Sequence, residues 1–426
     1  MNILLLGAGG FIGRHVLAEL LSHGHRVDAI VRRDDGLGSA FPQARIHELD
    51  LIGMTSEVDW HPRLAGIDVV VNAAGMLRGP AMHAIHVAMP EALYAACGRT
   101  GVKRVVLLSA ISARPDVETD YARTKLQGEA ALRAADVQWT ILRPSLVYGD
   151  GSYGGTSLLR GMAALPWRVP VPGAGDQLFS PVHVDDLARA IRIACEDDAL
   201  AAAELEPVGP RTLTLAALLD KYRRWLGFGH ARFVSVPMLV MNLVARLGDV
   251  FGNGPVSTNS LKQLVAGNAG DGQSFATAIG FSPRSLDDAL HARPASVQDR
   301  WHARLFFLPA LLTAVLALTW IASALLGLFF GAAYTRELAS ALSLPESWIL
   351  PLQIAGSAID FVVAALMVFD RKGRWSTPLQ LAVVSAYTAL IGIALPHLWL
   401  DPLGSLLKNF AFMALVLVHG AIADRR

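Results

Sequence analysis

Two regimes of hydrophobic patterning divide the chain. Up to about residue 304, apolar runs are short and punctuated by glycine and polar residues; beyond it they are long and almost uncharged. Residues 3–6, Ile-Leu-Leu-Leu, read as a parallel strand buried on both faces. A glycine cluster follows, and residues 14–22 read as a helix. Similar apolar runs at Arg26 to Val31, at Val69 to Asn72, at Val105 to Ser109 and up to Leu142 predict further strands, with a helical stretch from Tyr121 through Ala135. This alternation predicts an α/β head with a doubly wound parallel sheet.

The second regime holds four apolar stretches, Leu305 to Phe330, Ser347 to Phe369, Ser376 to Leu398 and Leu403 to Ala423. Only Asp360 and Lys408 are charged within them. About 20 apolar residues cross a hydrocarbon core, so the pattern predicts an all-α bundle of four membrane spans. Soluble helices are rarely apolar on every face for this length. Charge follows the same division: 10 of the 119 residues from Leu305 to Ala423 are charged, against 60 of the first 304. Arg300 and Arg304 precede the first span, Arg371, Lys372 and Arg374 separate the second from the third, and Arg425 and Arg426 follow the fourth. The positive-inside rule then places the head and both termini on the cytoplasmic side of a cell (inner) membrane, with Trp348, Trp375 and Trp399 near span ends as interface anchors. The run Ile3–Leu6 is too short for a secretory signal. Asp360, near mid-span, is expected to face protein or water, as a buried packing group or a polar pocket.

Over all 426 residues, 53% are hydrophobic and 17% charged, which excludes a disordered chain. The net charge of +1 argues against nucleic acid as a partner. Two cysteines, Cys97 and Cys195, exclude a disulfide scaffold and a four-thiolate zinc site.

The candidate chemistry begins at Gly7-x-x-Gly10-x-x-Gly13, between a strand and a helix. Glycines allow a tight turn and a close backbone approach to a pyrophosphate, and the helix N-terminus supplies N–H donors and a positive dipole end. The second strand ends at Arg32-Arg33, where an NAD-selecting site usually carries an acid. A guanidinium there suits a 2′-phosphate, so NADP(H) is expected over NAD(H), with Arg32 foremost and Arg33 or Arg14 assisting. Tyr121 and Lys125 stand four apart on one helix face. An ammonium there would pull the tyrosine pKa down, toward a working acid or base.

The glycine spacing, Tyr121-x-x-x-Lys125, Leu142-Arg143-Pro144-Ser145 and Val182-His183-Val184-Asp185-Asp186, in this order, resemble the extended and atypical short-chain dehydrogenase/reductase superfamily, including the NADPH-binding accessory subunit of respiratory complex I. The resemblance covers residues 1–295 and implies a Rossmann sheet with a small substrate lobe. It implies that Gly7, Gly10, Phe11, Ile12, Gly13 and Arg14 cradle the dinucleotide and that Asp50 and Leu51 touch the adenine. Asn72, Ala73, Ala74 and Gly75 would let the cofactor cross the strand end, Lys125 would hold the nicotinamide ribose, and Pro144 and Ser145 would lie beside the nicotinamide. Where family members place a catalytic Ser or Thr, this chain has Ile111, leaving Ser109 or Ser112 as substitutes. His183 with Asp185 and Asp186 reads as a helix start, capped by Asp185, rather than a metal site. The tail, around Pro402-Leu403-Gly404 and Lys408-Asn409, resembles the DoxX-like membrane family.

The expected organisation is a nucleotide-binding domain over 1–206, a lobe and linker over 207–300 and the membrane domain over 301–426. The expected function is a membrane-anchored NADP(H)-binding oxidoreductase acting on a lipophilic carbonyl or quinone. The rivals are a non-catalytic nucleotide-binding sensor or subunit of a membrane complex, and an epimerase or dehydratase. The apolar segment Val236 to Val250 suits either core packing or a membrane surface.

Overall fold

The computed structural model describes residues 1–230, 232–251, 257–370 and 372–423. Of the basic residues used for orientation, Arg371, Arg425 and Arg426 lie outside them. The chain forms two compact units, Met1–Ala303 and Arg304–Arg426.

In the first unit, seven strands form one parallel sheet. They are β1 (Asn2–Leu6), β2 (Arg26–Val31), β3 (Arg45–Glu48), β4 (Val69–Asn72), β5 (Arg104–Leu108), β6 (Gln138–Leu142) and β7 (Ala203–Leu205). Their order across the sheet is β7-β6-β5-β4-β1-β2-β3. The order reverses beside β1, where Ile3 pairs with both Val27 and Val69. An open sheet binds ligands at such a switch point, beyond the carboxyl ends of its strands. Ile3 and Leu5 point into one core with Val16, Leu17 and Leu20 of helix α1 (Phe11–Ser22). Leu4 and Leu6 point into the other, with Trp60, Leu93 and Cys97, the last two on helix α2 (Met89–Thr100). Burial on both faces is why these strands are apolar at every position.

Helix α3 (Asp120–Ala134) is capped by Thr119, whose hydroxyl accepts from the Ala122 amide. Helix α4 (Val184–Glu196) starts at His183, not Asp185. The imidazole Nδ1 of His183 accepts from the Asp185 amide, and the Asp185 carboxylate turns instead to His15 at 2.7 Å. Asp186 takes the Arg284 guanidinium and its amide, which pins residues near 284 to this helix. Short strand pairs, Val147–Tyr148 with Val182–His183, Leu178–Phe179 with Leu213–Thr214 and Val169–Pro172 with Phe233–Val236, build the lobe beside the strand ends.

The second unit is a bundle of α5 (Leu308–Phe330), α6 (Ile349–Phe369), α7 (Ser376–Ala394) and α8 (Lys408–Ala423), with a further helix at Ala332–Ala341. Three of its helices, Leu308–Phe330, Glu346–Phe369 and Ser376–Ala394, are long and apolar enough to cross a membrane. The fourth apolar stretch forms a shorter helix than its sequence predicts. Asp401 accepts from the amides of Leu403 and Ser405, and Gly404 takes a positive φ of 65°, so residues 401–407 turn and α8 begins only at Lys408. At 1.5 Å per residue, its 16 residues span about 24 Å.

This bundle is apolar on its outside. Phe329, Phe330, Phe369 and Ile393 are exposed, whereas Ser357, Asp360, Gln380 and His419 are buried. That inversion suits a lipid solvent, in which polar side chains must find partners inside. Asp360 does: Ser323 Oγ donates to it at 2.6 Å, and Tyr387 Oη to the same carboxylate at 3.3 Å, whereas Ser357 Oγ is buried with no hydrogen-bond partner among the described residues. Trp320 Nε1 donates to Gln380 at 3.0 Å, Asn409 Nδ2 to Thr388 at 2.8 Å, and His419 meets Thr313 at 2.8 Å. These bonds tie all four helices together. Asp360 is therefore a buried group held by two hydroxyls.

Candidate functional site

The loop from β1 to α1 is packed so tightly at Gly7 and Gly13 that no side chain fits there. Gly7 has φ +78°, and a Cβ there would lie 2.8 Å from Ala73 O; a Cβ on Gly13 would lie 2.1 Å from Gly7 O. Gly10 is the N-cap of α1 and offers no side-chain cap. The first-turn amides of Phe11, Ile12 and Gly13 therefore face outward as donors for an anion. Arg14 Nε binds Gly9 O at 3.2 Å and braces the loop, while Phe11 stacks on Tyr153 at 5.4 Å. A dinucleotide pyrophosphate fits this cradle on the ground that a Cβ would fill it and that the helix end lacks any other cap.

Arg32 and Arg33 are both exposed, directly after β2. Asp50 caps a short turn by accepting from the Ile52 amide at 3.1 Å, and Leu51 is buried beneath it. At the end of β4, buried Asn72 donates to Tyr94 Oη at 3.1 Å and accepts from the Ala74 amide at 3.2 Å. Ala73 donates its amide to Leu6 O, and Gly75 leads on toward Lys125. A Cβ on Gly75 would lie 3.3 Å from Lys125 Nζ and 3.6 Å from His86 Nε2. The structure thus brings Gly75, Lys125 and His86 together at the end of the strand next to β1.

Lys125 is buried, and its Nζ donates to Leu108 O at 2.9 Å. Burial pushes its pKa down to about 8, against an opposing pull from Glu129. Tyr121, one turn earlier, is driven up to about 12 by burial, opposite to the direction its spacing from Lys125 suggests. Desolvation of the phenolate outweighs the neighbouring ammonium.

Two partners in this cluster carry no motif in the sequence. His86 sits on a π-helical turn, Ala84–Ala88, a geometry frequent at functional sites. Its Nε2 accepts from the Met76 amide at 3.1 Å, so Nδ1 bears the proton and donates to Thr124 Oγ1 at 2.9 Å. Its ring meets that of Tyr121 edge-on at 5.6 Å. Burial and the Lys125 charge push its pKa down to about 3. A Cβ on Gly128 would lie 2.2 Å from His86 O, so α3 and this turn meet only because position 128 is glycine.

Glu129 is the second. It is fully buried, receives Arg143 at 2.5 and 2.8 Å and Arg133 at 3.0 Å, and accepts from Ser109 Oγ at 2.6 Å. Burial pushes its carboxyl up, but these donors together hold it below the ordinary range. The Ser109 hydroxyl is therefore committed to Glu129. Ser112 is buried nearby in sequence, and Ile111 packs in the core with Leu108, Leu142 and Phe275. Ser145 Oγ donates to Asn268 O, while its amide and Pro144 O are bonded to Pro207 and Ile111. Among the described residues no group of three His, Cys, Asp or Glu could hold a metal ion.

A parallel sheet reversing at a glycine cradle, with a tyrosine and lysine one helical turn apart beyond it, defines a pyridine-nucleotide-binding Rossmann domain of the extended short-chain dehydrogenase/reductase type. Residues 3–204 match the NAD dependent epimerase/dehydratase family and residues 317–417 the DoxX-like family. The chain belongs to the NAD dependent epimerase/dehydratase family and carries a DoxX-like domain after it.

Among its relatives is a ceramide reductase of Caulobacter vibrioides, 31% identical over 48% of this chain and 64% of the relative. The 40 kDa subunit of the NADH-ubiquinone oxidoreductase of Neurospora crassa is 25% identical over 57% of this chain and also 64% of the relative. The chain thus spans under two thirds of either protein's length. The mitochondrial protein fmp52 of Aspergillus niger is 30% identical over 39% of this chain and 76% of its own length. A nucleoside-diphosphate-sugar epimerase of Staphylococcus aureus shares the fold, with a TM-score of 0.55 at 16% identity over 68% of this chain and 99% of that one.

Proposed function

We propose that the protein is a membrane-anchored, NADP(H)-dependent oxidoreductase that reduces a carbonyl on a lipophilic substrate. The observation that carries this reading is the cluster of Tyr121, Lys125 and His86 at the strand end beyond the glycine cradle. A tyrosine held at about 12 is protonated at working pH, which suits a donor to a carbonyl oxygen, and thus reduction rather than oxidation. Lys125 keeps two of its three N–H donors free of the Leu108 bond, to hold a ribose and to stabilise the tyrosinate left behind. The bound nucleotide supplies the hydride.

The exposed guanidinium groups of Arg32 and Arg33 support a preference for a 2′-phosphate. A lipophilic substrate is supported by the membrane-length helices and by the name of the ceramide reductase relative. The basic residues Arg300, Arg304, Lys372 and Arg374 support a cytoplasmic head and a multi-pass topology. The test is NADPH consumption by the full chain in detergent with long-chain ketones, aldehydes and quinones. Turnover that Tyr121→Phe abolishes while nucleotide binding persists is expected; undiminished turnover in that variant defeats the proposal.

A second reading, a nucleotide-holding subunit of a membrane complex, is favoured by Ile111 in the core and by the commitment of Ser109 to Glu129. Tight nucleotide binding with no turnover across the whole panel would select it.

A further inference from the structure

Helix Met238–Phe251 in the lobe is turned the wrong way for a helix in water. Ala245 is buried, at 1% exposure, and Met241 and Gly248 are half-buried. The opposite face carries Leu239, Val240, Leu243, Val244 and Leu247, with Leu239 80% and Leu243 57% exposed. A soluble surface helix puts such a stripe inward, and a contiguous exposed apolar stripe marks an interaction surface. The side chain of Arg246 is exposed beside the stripe, as on helices that lie in a membrane interface with a cation toward the headgroups.

Beside this helix lies an open cavity of about 310 Å³, walled by Met238 and Asn242, by Leu261 and Val265 of helix Thr258–Ala266 and by Val117, with Asp116, Glu118 and Lys262 as its charged lining. Its wall continues directly into the segment that delivers the candidate acid. Glu118 O accepts from Lys262 Nζ at 3.2 Å, Arg114 donates to Ala266 O at 3.2 Å, and Thr119 caps the helix on which Tyr121 stands. The same chain carries helices long and apolar enough to cross a membrane, the first of which starts at Leu308, shortly after the first unit ends at Ala303.

We infer that helix Met238–Phe251 seats the head in the acyl-headgroup boundary of one leaflet, and that the cavity it walls admits the hydrocarbon tail of a bilayer-resident substrate. This deepens the proposed reading, which needs a lipophilic substrate but does not say how it arrives. The apolar stripe enters the leaflet, Arg246 stays at headgroup level, and the tail passes between Met238 and Val265 toward the loop before Tyr121.

The experiment uses the full chain in nanodiscs of phosphatidylcholine and phosphatidylglycerol. Cys97 and Cys195 are buried, so an environment-sensitive fluorophore can be placed selectively at Leu243→Cys, at Leu239→Cys and, as an exposed control, at Ala278→Cys. Lipids brominated on the acyl chain should quench the labels at 239 and 243 and leave that at 278 unchanged. Water-like emission at 243, or shielded emission without quenching, overturns the seating; the latter result would mean that protein, either the membrane unit or a second copy, covers the helix. In a second arm, a phospholipid with a photoreactive group on its tail should label peptides from residues 238–249 or 257–266. Labelling confined to residues 305–423 overturns the tail entry. Neither readout involves turnover, so either can fail while reduction by Tyr121 stands, and the reverse.

Discussion

Replacing Gly10 by aspartate separates the anion cradle from the fold around it. Gly10 is the N-cap of α1, with φ −75° and ψ 169°, a conformation open to any residue. A Cβ there meets only Gly7 O, at 3.3 Å, so the loop must give by a few tenths of an ångström. Aspartate is among the preferred N-caps and exceeds glycine by a few tenths of a kcal/mol. Gly10→Asp should therefore leave the thermal midpoint of the protein unchanged or slightly raised. Its carboxylate, however, occupies the donors that a pyrophosphate would use. A like charge about 4 Å away costs roughly 4 kcal/mol at an effective dielectric of 20, which corresponds to about a thousandfold weaker binding. Equilibrium dialysis of NADPH against wild type and variant in nanodiscs, beside a thermal scan of both, reads the two effects apart. A variant that is equally stable and binds equally well would refute the assignment of the cradle.

Three other outcomes follow from the buried polar groups. His86 is held neutral with a pKa near 3, so the stability it contributes is present above its unfolded pKa of about 6.5 and is lost as pH falls toward 3; between pH 7 and 4 this amounts to about 3 kcal/mol. The stability gap between wild type and His86→Gln should change by that amount over this range in denaturant titrations, and a constant gap would exclude a buried neutral histidine. Glu129→Gln breaks the pairs with Arg143 and Arg133 and should destabilise the head by about 3–5 kcal/mol, measured as a lower denaturation midpoint. Asp360→Leu strands the hydroxyls of Ser323 and Tyr387 and should cost about 1–3 kcal/mol in the membrane unit, whereas Asp360→Asn should recover most of it in detergent-unfolding assays.

The central strands and the cradle are legible in the sequence for a physical reason. β1, β4 and β5 are buried on both faces, so they read as unbroken apolar runs, and Gly7 and Gly13 stand where no Cβ fits. The edge strand β3, Arg-Ile-His-Glu, is largely exposed and has no such signature. Tyr121 and Lys125 are found by their spacing, but their protonation is governed by burial, which spacing does not carry. His86 and Glu129 escape notice because their partners are distant in the chain: Met76 and Thr124 for one, Ser109 and Arg143 for the other. A histidine inside an apolar helical run is the only local hint of the first. The start of α8 depends on backbone amides captured by Asp401, which hydropathy alone does not register.

The most direct measurement is a saturation titration of NADPH, and separately of NADH, into the wild-type full chain in nanodiscs. Stoichiometric, saturable binding with NADPH the tighter ligand is expected from the glycine cradle and from Arg32. A protein that retains neither nucleotide at any concentration would contradict the assignment of this fold as a dinucleotide site.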